Sequence, residues 1–354
     1  MKTARWLLLP FSLLYGLVVT IRNWLYDGGL LKSRSFNIPV ICVGNLDIGG
    51  AGKSPMTEYL IRLLKVDNKL ATLSRGYGRA TKGYLTATAT ATATETGDEP
   101  AQFKHKFPDV TIAVCEDRVA GIKRLREEHN LVILDDGFQH RAVKPGFSIL
   151  LFDYARLNEP KLLLPAGNLR EPFSGRWRAD VLIVSKCPEN MAEDEHTQLF
   201  EKLEPLPFQS IFFTSISYQP LHNLDGKRAN ARIDQDTTVF LLTGIANAGP
   251  LVRHIKTFTQ SIVHHNYPDH HPFSLKNIAK LADEFAACGA QKKIIVTTEK
   301  DAQRLLEHEL QPAVEALPIT VIPVMTAFAG NSGRQFDELV KAYVREHRTN
   351  HVIH

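Results

Sequence analysis

Pro39-Val40-Ile41-Cys42-Val43-Gly44-Asn45 leads through Leu46 and Asp47 into Ile48-Gly49-Gly50-Ala51-Gly52-Lys53-Ser54. The first stretch is short, apolar and rich in β-branched residues, the pattern of a strand buried on both faces. Behind the glycines, Met56, Tyr59, Leu60, Leu63 and Leu64 recur at the helical period, so 55–64 reads as an amphipathic helix. Pro55 suits the first turn, where a missing N–H costs little. Strand, glycine loop, Lys-Ser and helix in that order make a P-loop.

That arrangement predicts a phosphate site. Gly49, Gly50, Ala51 and Gly52 let backbone N–H groups face an anion, and the helix opened by Lys53, Ser54 and Pro55 adds a favourable dipole. Lys53 is expected to reach the β- and γ-phosphates and the Ser54 hydroxyl to hold Mg²⁺. Asp47 stands where the strict pattern has glycine. Downstream, Leu131-Val132-Ile133-Leu134-Asp135-Asp136-Gly137 has the shape of a core strand presenting acid to the same magnesium. Two segments come near the guanine-specific pattern. Ser185-Lys186-Cys187-Pro188 lacks the aspartate, and Thr298-Glu299-Lys300-Asp301 has the wrong spacing, so adenine nucleotide is expected.

Outward from this centre, LATLSRGYG (70–78), VTIAVCED (110–117) and FSILLFD (147–153) read as further strands, with helix between. Alternation of this kind predicts a doubly wound parallel α/β sheet with nucleotide at the strand C-termini. A second series, at 181–186, 237–245, 292–298 and 319–324, predicts a Rossmann-like second lobe. The expected partition is an N-terminal segment 1–36, a nucleotide-binding domain 37–160 and a second α/β domain 161–354. The alternating threonines and alanines of 86–94 read as an edge strand or an exposed loop.

Of the 354 residues, 44% are hydrophobic and 23% charged, which excludes disordered and fibrous classes. The net charge of +4 is low for a nucleic-acid binder and fits a small or lipid-like acidic ligand. Four scattered cysteines form no metal or disulfide framework. From Trp6 to Ile21 the chain carries no charge, and Lys2, Arg5, Arg22, Lys32 and Arg34 flank it. No A-x-A cleavage site follows, which argues against a secretory signal. Pro10 and Gly16 weaken a continuous spanning helix. The expectation is a helix lying in or partly entering the membrane, with a buried core helix as the plain alternative.

Seven motifs occur in order: GNLDIGGAGKSP (44–55), SRGYGR (74–79), GDEP (97–100), DDGFQH (135–140), PAGNLRE (165–171), DHHPF (269–273) and TEKDA (298–302). With them the chain resembles the tetraacyldisaccharide 4'-kinases, membrane-associated lipid A kinases of Gram-negative bacteria. The resemblance implies transfer of the γ-phosphate of ATP to the 4'-hydroxyl of an acylated glucosamine disaccharide 1-phosphate, giving lipid IVA. It places the enzyme on the cytoplasmic face of the inner membrane, in contact with membrane lipid, with no nucleic acid and no obligate protein partner. It assigns a proton-accepting pair to Asp98 and His270, with His271 as the rival histidine. Lys53 and Arg170 join them in catalysis. Ser54, Asp135, Asp136 and Gln139 are expected around Mg²⁺, and Arg75, Tyr77, Asn168 and Glu171 at the substrate. On their own the shorter motifs also read as helix caps or surface ion pairs. A membrane-recruited regulatory ATPase is the competing function, but it has no use for DHHPF or a second lobe.

Overall fold

A computed structural model describes residues 3–352. The strands in chain order are Val40–Asn45 (β1), Leu70–Ser74 (β2), Leu85–Thr86 (β3), Thr111–Val114 (β4), Leu131–Asp135 (β5), Phe147–Asp153 (β6), Val181–Ser185 (β7) and Ser210–Tyr218 (β8). They continue as His222–Asn223 (β9), Thr237–Thr243 (β10), Ile262–Asn266 (β11), Lys292–Thr298 (β12), Ile319–Ile322 (β13) and Val324–Phe328 (β14). Among the described residues they form a nine-stranded sheet, ordered β14-β8-β7-β6-β1-β5-β2-β4-β3, and a five-stranded sheet, ordered β11-β10-β12-β13-β9. Pairing is parallel throughout except at the edges, where β3–β4, β14–β8 and β13–β9 run antiparallel.

The P-loop strand sits mid-sheet, parallel to β5 on one side and β6 on the other. Its alternate side chains feed two cores. Cys42 joins Leu134, Leu150 and Leu182 on one face. Ile41 and Val43 join Ile133, Ile149 and Ile183 on the other, under Met56, Leu60, Ile61 and Leu64 of the Lys53–Leu64 helix. Gly44 is required by close approach: a Cβ there would lie 2.4 Å from Phe138 Cβ. Gly44→Ala is therefore expected to destabilise the protein by about 1–3 kcal/mol through overpacking. A thermal melt checks this, and an unchanged midpoint would contradict it.

The partition differs from the expected one. β7, expected in the second lobe, pairs with β6 in the first sheet, and β8 follows it. The first lobe thus continues past residue 160 to Tyr218 and recovers the chain at β14. The long Ser332–Val352 helix then returns Phe336, Val340 and Val344 to the first core. The physical reason is that an apolar β-branched run carries no address: VLIVS fits either sheet, and here it pairs with the strand that precedes it in sequence, the commoner arrangement. The five-stranded sheet lies wholly between β8 and β14, and the two crossing strands meet where the Gln219 N–H donates to the Pro323 carbonyl at 2.9 Å.

The N-terminal segment is a continuous Leu9–Asp27 helix after a 3₁₀ turn, contrary to the expected weakening. Pro10 falls in its first turn, where no hydrogen bond is lost. Gly16 lets the helix sit against Leu163, since a Cβ would come within 2.7 Å of that side chain. Ser12, Gly16 and Val19 form its buried stripe. Leu7, Phe11, Leu13, Leu14, Leu17, Val18 and Trp24 stay exposed. Of the alternating 86–94 stretch, only Thr86 is in a strand. Thr92 then caps the short Ala93–Thr96 helix in a reciprocal pair with Glu95.

Candidate active site

The phosphate loop closes through glycine geometry. Gly49 and Gly52 have φ of 107° and 80°, the left-handed region where a side chain is strained, and Gly52 caps the helix that begins at Lys53. Position 47 is absent from the left-handed set. Asp47 instead pairs its backbone with Leu169 in an isolated bridge, so a side chain is tolerated there. Asn45, fully buried at the end of β1, organises the loop. Its Nδ2 donates to the carbonyls of Asp47 and Gly49, and its Oδ1 accepts from Lys53 Nζ at 2.9 Å and from Arg170. From β7, Lys186 donates to the Gly50 carbonyl and pairs with Asp153 at 2.8 Å.

The two carboxylates after β5 behave differently. Asp135 is buried and accepts from the Thr57 hydroxyl at 2.9 Å. Burial, then the charges of Asp136 and Glu99, push its carboxyl up to about 7. Asp136 takes the left-handed conformation, φ 51°. Arg170 forks onto it at 2.7 and 3.0 Å, and Lys53 Nζ stands 3.7 Å away. Burial works to raise the Asp136 carboxyl, but Lys53 and Arg170 outweigh it and hold it below the usual range.

These residues fit Mg²⁺. The donors are all oxygen: the Ser54 hydroxyl and two adjacent carboxylates whose mutual repulsion a divalent cation relieves. Among the described residues no cluster of three His, Cys, Asp or Glu side chains forms a dedicated cage. That suits an ion held largely by substrate phosphates and water. Gln139 is placed differently from the expectation. Its Nε2 donates to the Asn45 carbonyl and to Glu171, both at 2.9 Å, leaving only a buried, unpartnered Oε1 for the metal shell.

Gly97, φ 98°, turns the chain into the Asp98–Lys106 helix, and a Cβ there would lie 2.9 Å from the Tyr77 carbonyl. This brings GDEP against SRGYG. Across the lobes, Asp98 Oδ2 lies 2.9 Å from His270 Nδ1, joining residues 172 apart in sequence. His271 turns the other way, 3.2 Å from Asn277 Oδ1 and stacked on Tyr267, so the open choice resolves to His270. Tyr77, 70% exposed, tilts its ring over His270 with centroids 5.5 Å apart. Arg304, from the Glu299–Leu305 helix, stands 3.3 Å from Asp98 and donates to the carbonyls of Gly244 and His271. Burial works to raise the Asp98 carboxyl. The His270 hydrogen bond and the Arg304 and Lys300 charges overcome it, so the group stays below its ordinary value and ionised at neutral pH. The lobes are further held by Lys106, which bridges Glu58 at 2.5 Å and Glu299 at 2.6 Å.

The expected substrate residues divide. Arg75 is exposed near Arg118 and His140; burial holds the pKa of both below the usual value, and the Arg75 charge adds to it. Asn168 is occupied by Arg5 at 3.1 Å and Glu159 at 3.3 Å, and its carbonyl accepts the Ile48 N–H. Glu171, expected at the substrate, is corrected. It is 2% exposed, with its oxygens taken by Asn23, Gln139 and Arg178, so it braces the loop from beneath. Asn45, Thr57, Arg118, Lys186 and Arg304 were not anticipated. Of these, Asn45 lay inside the quoted GNLDIGGAGKSP motif, and Lys186 is the lysine of the incomplete Ser185–Pro188 motif.

A sequence model of the tetraacyldisaccharide-1-P 4'-kinase family matches residues 4–345. This chain belongs to that family. The tetraacyldisaccharide 4'-kinase of Bacteroides thetaiotaomicron is 43% identical over 369 residues, covering 99% of this chain and 95% of that protein. Its counterpart from Flavobacterium johnsoniae is 41% identical over 350 residues, covering 98% and 99%. A crystal structure of the Aquifex aeolicus member, an "apo" form in complex with ATP, superposes with a TM-score of 0.74 at 30% identity, covering 96% of this chain and 99% of that one. The expected kinase assignment and α/β fold therefore hold, and the site described above is that of a tetraacyldisaccharide 4'-kinase family member.

Proposed function

We propose that this kinase transfers the γ-phosphoryl group of ATP to the 4'-hydroxyl of an acylated glucosamine disaccharide 1-phosphate, with Asp98 as the base. The observation that carries the reading is Asp98, held at 2.9 Å by His270 on the lobe opposite the P-loop. A sugar hydroxyl is a poor nucleophile at neutral pH, and a positioned carboxylate orients it and takes its proton. The new bond joins the 4'-oxygen to phosphorus, the bond from phosphorus to the β,γ-bridging oxygen breaks, and ADP leaves. Lys53 stabilises charge on the transferring group and the leaving oxygen. Arg170 holds Asp136 and adds positive charge at the same corner. Ser54, Asp135 and Asp136 would hold Mg²⁺, which when bound neutralises phosphate charge. Arg75 and Arg118 bring positive charge that suits the acceptor's 1-phosphate. ADP release measured with and without the acylated disaccharide phosphate tests the reading. Strict dependence on it is expected, and equal release without it would favour the regulatory ATPase.

The N-terminal helix supplies the membrane contact. Residues 5–27 are long and apolar enough to cross a bilayer. The apolar face turned outward and the stripe Ser12, Gly16 and Val19 seated on the 163–171 loop favour a helix lying at the surface of the cytoplasmic leaflet. The helix also reaches the site, since the Tyr15 hydroxyl donates to the Arg170 carbonyl at 2.7 Å. Deleting it would disturb catalysis as well as anchoring, so substitution of the outward face is the cleaner probe. Phe11→Ser, Leu14→Ser and Val18→Ser together should weaken partitioning onto anionic vesicles by about 10²-fold, taking about 1 kcal/mol for each partly buried side chain. The KM for the lipid acceptor should rise while that for ATP stays unchanged. Full retention on vesicles would show that other surfaces anchor the protein.

A further inference from the structure

We infer that Lys300 is a positioning residue that fixes the tautomer of His270 beside Asp98. The inference deepens the base reading above and rests on it. Lys300 Nζ lies 3.1 Å from His270 Nε2. An ammonium has donors only, so Nε2 must accept from it. The single proton of the neutral ring then sits on Nδ1, where it donates to Asp98 Oδ2 at 2.9 Å. Both ring nitrogens are committed, and Asp98 Oδ1 is left to meet the acceptor hydroxyl. Without Lys300 the ring proton is free to move to Nε2, and Nδ1 would then offer Asp98 Oδ2 no donor.

The surroundings support the assignment. Lys300 is held by Glu99 at 3.2 Å, from the same helix as Asp98, and by Asp269 at 3.9 Å. Asp269 Oδ2 also stands 3.9 Å from His270 Nε2. Tyr77 covers the ring, and Arg304 faces Asp98 from the helix that bears Lys300. The nearby charges are thus Asp98, Glu99 and Asp269 against Lys300 and Arg304. Lys300 is the cation that contacts the imidazole directly. His270 itself has φ 57°, so the loop presents the ring in a conformation that its neighbours must hold.

The experiment is ¹⁵N NMR of the full chain labelled at histidine, with the His270 signals assigned from a His270→Gln spectrum. In the unsubstituted protein, Nδ1 should be protonated and Nε2 bare at neutral pH. Lys300→Met should move the ring proton of His270 to Nε2. It should also lower kcat by about 10-fold, a fraction of the 10²–10⁴ supplied by a whole general base, with the KM for ATP within about twofold. Lys300→Arg, which again offers only donors, should return the Nδ1–H tautomer. A His270 whose Nε2 stays bare in Lys300→Met overturns the inference. Failure of the base reading is separate. It would appear as full turnover in Asp98→Ala, whatever the histidine spectrum shows.

Discussion

Lys53→Ala is expected to lower kcat by about 10²–10³-fold or more, the scale for removing one preorganised donor from developing negative charge. Lys53 is bonded to Asn45 Oδ1 and stands 3.7 Å from Asp136. It thus sits at the glycine loop proposed to hold the phosphates. The substitution should leave the fold intact because Asp136 keeps its two-pronged contact with Arg170, so no buried carboxylate is stripped of every partner. Lys53→Arg is expected to rescue poorly, since a planar fork does not replace a compact ammonium. The checks are steady-state kinetics and a melt on the same sample. Native stability with wild-type turnover would remove the loop from the chemistry.

Asp98→Ala should cost about 10²–10⁴-fold in kcat, the range of a general base, with ATP affinity nearly unchanged. His270→Ala should cost less, and the double variant should fall well short of the product of the single losses, because the two side chains act as one unit. The pH dependence has a definite sign. The base works when deprotonated, and the folded Asp98 carboxyl lies below its ordinary value, so the contribution of Asp98 is lost as pH falls through that depressed value. Removing His270 deletes a hydrogen bond that lowers the Asp98 carboxyl while burial continues to raise it. The acid limb of kcat/KM should therefore move to higher pH in His270→Ala. Strictly additive losses, or an acid limb that stays in place, would take the pair out of the mechanism.

What could be read in advance follows from range. The P-loop and the Asp135–Asp136 turn are local, with each residue fixed by neighbours within about ten positions, and both appear where the periodicity put them. The Asp98–His270 pair became legible only through motif resemblance, since nothing local in GDEP points to a histidine on another lobe. β7 was misplaced because sheet membership depends on pairing partners that an apolar run does not name. Glu171 looked available beside Arg170, yet successive residues on an extended loop face opposite ways. Arg170 points to Asp136, and Glu171 points down to Asn23, Gln139 and Arg178. Asn45 is the strongest omission. It lay inside the quoted motif, but its role as a hub depends on Lys53 and Arg170 converging from two further segments.

One site, with its P-loop on the first lobe and its histidine on the second, is proposed to deliver phosphate to a sugar hydroxyl rather than to water. Phosphorus NMR of the reaction in vesicles containing the acylated disaccharide 1-phosphate tests it most directly. A second phosphomonoester resonance, coupled to the ring proton on carbon 4', is expected to grow in step with ADP and to be missing with Asp98→Ala. ADP accompanied only by inorganic phosphate, with the lipid unchanged, would contradict it.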